Sequence, residues 1–142
     1  MINNKLSIVF FVFCVLDVSG CATTQQVGLP SEPIKFVTPA EAIKQIGKPE
    51  VLVEMVVKKS KDRLEKRGII YLDSEEDFKN ANNLGVAISA EGAAKFKKQG
   101  IPDPAAHFEG KTIRVRGCVM RFEERPYLPV HNPEQISIVE KK

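Results

Sequence analysis

The chain has 142 residues, 43% hydrophobic and 27% charged. That composition excludes intrinsic disorder, and the length suits a single domain. Twenty-one lysines and arginines stand against 18 aspartates and glutamates, a net charge of +3, too mild to imply a polyanion partner by itself.

The chain opens with Lys5 followed by an uncharged apolar run, Ser7 to Leu16 (SIVFFVFCVL). A run of about ten is too short to span a bilayer as a helix, which needs about 20 apolar residues. A positive residue before a short apolar core is the pattern of a cleaved signal segment. Val18-Ser19-Gly20-Cys21 then resembles the lipobox of bacterial lipoproteins: an aliphatic residue, two small residues, and the cysteine that receives diacylglycerol. The resemblance implies a signal peptide over 1–20, lipid attachment at Cys21, and a place in the cell envelope outside the cytoplasm. Ala22 after the cysteine, rather than aspartate, resembles lipoproteins sent to an outer membrane, where the cell has one. Several acyl chains hold a protein firmly, at ~0.8 kcal/mol per buried CH₂. Cys14 leaves with the signal and Cys21 is acylated, so Cys118 is the one remaining cysteine and no internal disulfide is expected.

Residues 22–33 (ATTQQVGLPSEP) are small and polar, so 21–36 reads as the lipidated cysteine and a tether, with the domain over 37–142. Thr38-Pro39-Ala40-Glu41 is a capping box with proline at the first helical position; the short helix presents Ala42, Ile43 and Ile46 and stops at Gly47. Val51 to Val57 is a strand with Val51, Val53, Met55 and Val57 on one face. Lys58 to Arg67 (KKSKDRLEKR) reads as a polar loop or hairpin end. Gly68 to Leu72 is a second strand, and Asp73 to Asn83 a long polar turn. Leu84 to Ser89 is a third strand, and Ser89 caps a helix that ends at Gly100 before Pro102. Thr112 to Phe122 is a fourth strand: Ile113, Val115 and Val119 alternate with Arg114, Arg116 and Met120, and Gly117 marks a bulge or bend. After a turn at 123–126, Tyr127 to Val130 begins a last strand that Gln135 to Val139 completes.

The fold class is mainly β with α. Five short strands with a helix between the third and fourth, and a short N-terminal helix, form the layout of a five-stranded Greek-key barrel. Gly110-Lys111-Thr112-Ile113-Arg114-Val115-Arg116-Gly117-Cys118-Val119 resembles the fourth strand of OB-fold domains. Glu124 to Leu128 and Asn132 to Ile136 resemble that family's fourth-to-fifth hairpin and final strand, and Thr38 to Lys48 its helix leading into the first strand. The resemblance covers roughly residues 37 to 140. It implies a ligand lying across the second and third strands, between the first-second and fourth-fifth loops. Mapped here, the ligand-binding candidates are Lys58, Lys59, Lys61, Arg63, Tyr71, Arg125 and Tyr127, with Lys66, Arg67 and Phe122 nearby and Asp62 and Glu65 diluting the first loop. Such cations and aromatic rings suit single-stranded nucleic acid, another polyanion or an oligosaccharide.

Arg114 and Arg116 read as outward residues that pair with Glu54 across strands. Asp73, Glu75, Glu76 and Asp77 read as a solvated acidic turn. His107 and His131 are isolated, and no HExxH, CxxC or nucleophile motif is present, so neither catalysis nor a cofactor or metal is expected. The rival to a polyanion-binding module is an assembly module that docks an envelope protein through an apolar patch of Met120, Phe122, Tyr127 and Leu128.

Overall fold

The structure is a computed structural model that describes residues 34–142. Cys21, the signal segment and most of the tether lie outside the described residues. The unit Ile34–Lys142 contains the whole hydrophobic core.

Thr38 opens the first helix, α1 (Pro39–Ile43), with a full capping box. The Glu41 backbone N–H donates to the Thr38 hydroxyl at 3.4 Å, and the Thr38 N–H donates to the Glu41 carboxylate at 2.9 Å. The Thr38 N–H and the Thr38 hydroxyl, which donates to the same carboxylate at 3.0 Å, hold the Glu41 carboxyl below its ordinary value. Strand β1 (Val51–Val56) follows, with Val37 bridging alongside Val53. Next come β2 (Lys59–Arg63), α2 (Leu64–Arg67), β3 (Ile69–Asp73) and β4 (Gly85–Ser89). Then α3 (Ala90–Lys98) and α4 (Pro104–Phe108) precede β5 (Thr112–Gly117), β6 (Met120–Phe122) and β7 (Arg125–Val130). A 3₁₀ turn (Pro133–Gln135) leads to β8 (Ile136–Ile138).

The strands form two sheets, ordered β1-β5-β8 and β2-β3-β4-β7-β6. Two bent segments join them. At the first corner the Val57 N–H donates to the Lys111 carbonyl, and the next N–H, of Lys58, donates to the Asp73 carbonyl. One residue thus serves the first sheet and its neighbour the second. At the other corner β5 ends at Gly117 and β6 resumes at Met120. A Cβ on Gly117 would sit 2.9 Å from Leu128 Cδ2, so the bend closes on that side chain in the space the glycine leaves. Strands that change sheet through such bends make the corners of orthogonally packed sheets. With β1/β2 and β5/β6 each counted as one bent strand, five strands pair in the cyclic order first, second, third, fifth, fourth, first. The third and fifth (β4 and β7) are parallel and the other pairs antiparallel. This is the OB-type fold, mainly β, its ring interrupted at the two corners rather than carried by one unbroken ladder.

Several elements differ from the sequence reading. Lys59–Arg63 is a strand, because β3 supplies a full antiparallel partner from Lys59↔Asp73 to Arg63↔Ile69; pairing overrides the poor strand preference of lysine. The segment from Thr112 to Phe122 is two strands, divided at the Gly117 bend. Tyr127–Val130 and Ile136–Ile138 belong to different sheets, since Asn132-Pro133 starts a 3₁₀ turn that returns the chain to β5. Helix α4, capped by Asp103 with Pro104 at its start, is an addition; its Phe108 packs edge-on against Phe96 of α3.

The inner faces meet in one core. Val53, Val57, Ile70, Leu72, Val86, Ile88, Ile113, Val115, Val119, Leu128 and Val130 are all fully buried, each stabilising by about 1.5–3 kcal/mol through burial. Ser89 caps α3 through the Gly92 N–H at 3.1 Å, and the first turn of the helix meets the end of β7 at Val130. A Cβ on Gly92 would stand 2.9 Å from the Val130 carbonyl oxygen and 3.2 Å from Ile88 Cγ2. Gly92→Ala should therefore destabilise the protein. Helix propensity gains up to about 1 kcal/mol, and overpacking against backbone loses about 1–3 kcal/mol. Urea denaturation checks this: the midpoint should fall, and a raised midpoint would show that the helix shifts off Val130 freely.

Candidate ligand-binding cleft

The outer face of the larger sheet is built by strict alternation. Along the aligned rows, Ser60, Leu72, Val86 and Leu128 face the core side, as do Ile70, Ile88 and Val130, with Asp62 exposed at the edge of that row. The intervening rows point outward: Lys59, Asp73, Gly85, Tyr127 and Met120 in one, Lys61, Tyr71, Ala87 and Pro129 in the next. On β4 the outward residues, Gly85, Ala87 and Ser89, are all small. The sheet face therefore sinks along β4 into a cleft of about 770 Å³.

Lys61, Arg63, Tyr71, Arg125 and Tyr127 all line this cleft, so five of the seven residues singled out from the sequence meet there. Lys59 shares the face by register, at its edge. Lys58 does not take part. It sits at the corner and pairs with Glu75 at 2.7 Å, beside a separate hollow of about 280 Å³. Asp62 does not dilute the cations: alternation turns it to the other face, where its carboxylate accepts from the Leu64 N–H at 2.8 Å. Lys66, Arg67 and Phe122 also line the cleft.

Sequence reasoning missed Phe78 and Lys79. Phe78 comes from the β3–β4 connection and folds over the cleft. The Lys61 ammonium lies 4.3 Å and the Arg125 guanidinium 4.7 Å from its ring centroid, within the range of a cation–π attraction. A lone phenylalanine in a polar turn carries no periodic signal, so nothing in the sequence placed it. The opposite wall is the β6–β7 hairpin. Its tip, Glu123 and Glu124, holds two non-glycine residues at φ 47° and 61°, a left-handed conformation that costs each about 1 kcal/mol or more.

Several basic residues outside the cleft are paired: Arg114 with Glu54 at 2.7 Å, Lys95 with Glu91 at 2.6 Å, and Arg116 with Glu50 at 3.3 Å rather than with the expected Glu54. Among the described residues, none of Lys61, Arg63, Lys66, Arg67, Lys79 and Arg125 forms an ion pair.

Asp73 corrects the reading of a solvated acidic turn. It ends β3, is only 6% exposed and lies on the cleft floor. Its Oδ1 accepts from Asn83 Nδ2 at 2.9 Å. The Asn83 Oδ1 in turn accepts from the Glu75 N–H at 3.0 Å and the Ser74 hydroxyl at 3.3 Å. Burial pushes the Asp73 carboxyl above its ordinary 3.8, against the lowering effects of the Asn83 bond and of the Lys61, Arg125 and Lys59 charges.

The patch imagined from Met120, Phe122, Tyr127 and Leu128 loses Leu128, which alternation buries completely; Met120 and Phe122 remain 45% and 63% exposed. His131 Nδ1 lies 3.1 Å from the Ser89 hydroxyl, whose oxygen is engaged as the cap of α3. Among the described residues no group of three or more His, Cys, Asp or Glu side chains is placed to hold a metal.

No protein-family model matches this chain, and no curated protein matches it. Solved structures do. The chain is similar to a chain of the S. pombe Stn1-ten1 complex (12% identity, 66% of this chain and 60% of the other, TM-score 0.46). It is similar to the asparaginyl-tRNA synthetase of Pyrococcus horikoshii (15% identity, 76% and 24%, TM-score 0.49) and to the p204 HINb domain (14% identity, 74% and 47%, TM-score 0.47). In each case this chain covers less than two thirds of the other. Likeness at this level leaves the strand pairing itself as the ground for the fold.

Asp73 makes a testable contribution to stability. Its folded pKa is raised, so the native state binds a proton that the unfolded state releases near pH 3.8. Stability from this group is full below that pH and is lost as the pH rises through the raised folded value. Relative to Asp73→Asn, the wild type should lose stability as the pH rises from about 3.8 towards neutrality. Parallel denaturation curves for the two proteins at acid and neutral pH give the difference; a constant gap across that range would contradict it.

Proposed function

We propose that this chain is a non-catalytic, membrane-anchored OB-type binding module whose ligand is a single-stranded nucleic acid or another polyanion held in the cleft over β4. One observation carries the reading. Six cations without acidic partners gather around a trough that also presents Tyr71, Phe78, Phe122 and Tyr127. Phosphate attraction along a groove and aromatic surface for bases are the two requirements of single-strand binding. Anchoring through an acylated Cys21, and a place outside the cytoplasm, complete the proposal and rest on the lipobox-like segment alone.

A second reading has its own support. Phe122 and Met120 stand exposed on a short hairpin, as a surface for docking an envelope protein would.

Titration of the purified protein with single-stranded DNA, RNA and acidic polysaccharide at ~50 and ~200 mM salt separates the two. Polyanion binding should weaken with salt, with a slope of log K on log salt approaching about −4 if all six cations engage a single strand, at about −0.7 each. Lys61→Ala and Arg125→Ala should each lower affinity and flatten the slope by about 0.7. No binding to any of the three would end this reading and leave the docking module. The anchor is tested separately. Cells fed an alkyne-bearing palmitate should label the wild type and not Cys21→Ser, and label on the serine variant would place the lipid elsewhere.

A further inference from the structure

The cleft holds one feature that a site for bare polyanions does not explain: a carboxylate at its floor. Asp73 stands directly opposite Gly85 on β4, which faces Tyr127 on β7. A Cβ on Gly85 would lie 3.5 Å from Asp73 Oδ1, so the aspartate side chain reaches over the space the glycine leaves. Asn83 holds Oδ1 at 2.9 Å. The other oxygen, Oδ2, has no protein donor among the described residues, yet no buried side-chain oxygen or nitrogen is left without a partner. Oδ2 therefore keeps some access to solvent, on a residue that lines the cleft. Although cations surround it, Asp73 forms no ion pair with any of them. The floor is an acceptor, fixed in place, in a cleft lined by six cations and by Glu123 and Glu124 of the hairpin.

Such a floor repels phosphate and sulfate. It favours a ligand whose anionic groups stay at the rim while hydrogen-bond donors reach below. A nucleotide has this division, with phosphate at one end and a base edge at the other. The four Watson–Crick edges differ. Guanine presents N1–H and the 2-amino group side by side, two donors that match the two oxygens of a carboxylate. Adenine and cytosine set a ring-nitrogen acceptor beside their amino group, and thymine and uracil flank one N–H with two carbonyls; those acceptors would face the negative charge. Oδ1 keeps a second lone pair beside the Asn83 bond, so both oxygens are available. Tyr71 and Tyr127 stand on either side of the Gly85 and Ala87 floor, as aromatic walls for a flat base.

We infer that Asp73 is a specificity-determining residue that selects guanine by accepting hydrogen bonds from its N1–H and 2-amino groups. The inference rests on the nucleic-acid reading of the cleft proposed above and names the base that reading leaves open.

Fluorescence anisotropy with labelled thymidine strands of about 12 nucleotides, within the usual span of such folds, tests it. Four strands are compared: all thymidine, and the same strand with a central guanine, inosine or 7-deazaguanine. For the wild type a single guanine should tighten binding on the order of tenfold, the discrimination expected of a bidentate pair. Inosine, which lacks the 2-amino group, should lose most of that gain, and 7-deazaguanine should keep it. Asp73→Asn, shown to be folded by a cooperative urea transition, should no longer prefer guanine. Equal binding of all strands, full replacement by inosine, or a guanine preference that survives in Asp73→Asn would each overturn the inference. If the variant fails to fold, the inosine comparison on the unaltered protein decides. Salt-sensitive binding of the all-thymidine strand without guanine preference would remove this inference alone. Absence of binding to every strand would remove the nucleic-acid reading with it.

Discussion

The structure turns on the transfer of backbone hydrogen bonding at Val57 and Lys58. Val57 donates to Lys111 and Lys58 to Asp73, so the chain leaves one sheet and joins the other within a single peptide step. Side-chain parity inverts there. Before the corner the odd-numbered residues Val51, Val53, Met55 and Val57 face the core. After it Ser60 aligns with buried Leu72, and the odd-numbered Lys59, Lys61 and Arg63 face outward. A one-residue change of phase moves every following side chain to the opposite face. Without it the second half of the bent strand would aim three cations at the core. With it, the same residues become the wall of a cleft.

The cleft then follows from side-chain volume. Strand β4 is paired on both sides and presents Gly85 and Ala87 outward, while its Val86 and Ile88 fill the core. Small residues between Tyr71 on β3 and Tyr127 on β7 give a trough with aromatic flanks. The same absence of side chain recurs at Gly92 and Gly117, where α3 meets the Val130 carbonyl and the second corner meets Leu128. Both points contact β7, at the Val130 carbonyl and at the Leu128 side chain, and β7 carries Arg125 and Tyr127 into the cleft.

Much of this was legible in the residues. Alternation placed Val51 to Val57 and Ile113 to Val119 in the core. Capping chemistry placed α1 and α3, and Gly117 marked the bend. The order of elements, with a helix between the third and fourth strands, was enough for the OB-type fold. What escaped was decided by partners distant in sequence. Lys59-Ser60-Lys61-Asp62-Arg63 is a strand only because β3 pairs with it, and its charge pattern alone resembles a solvated loop. The reading of Asp62 as a diluting acid failed for the same reason: unrecognised alternation. Phe78 belongs to a turn whose path depends on Asn83 and Asp73, and no local rule carries a turn across a sheet. Leu128 was taken as exposed because its row in the sheet was unknown.

Asp73 is where local and global preferences disagree. Burial disfavours its charge, the Lys59, Lys61 and Arg125 field favours it, and burial prevails. Folding gains little from a carboxylate there, since an uncharged residue of similar size would avoid the desolvation. Conflicts of that kind concentrate where a site needs chemistry that the fold does not. The chemistry here is a separation by depth. Long cationic side chains reach up around the rim, where water and salt temper their attraction, while the short aspartate stays at sheet level, where water is scarce and each hydrogen bond is worth more. On the proposed reading an anion is drawn in and stopped at the rim, and only a group that donates hydrogen bonds continues to the floor, so the cations would govern how strongly a ligand is held and the carboxylate which ligand it is.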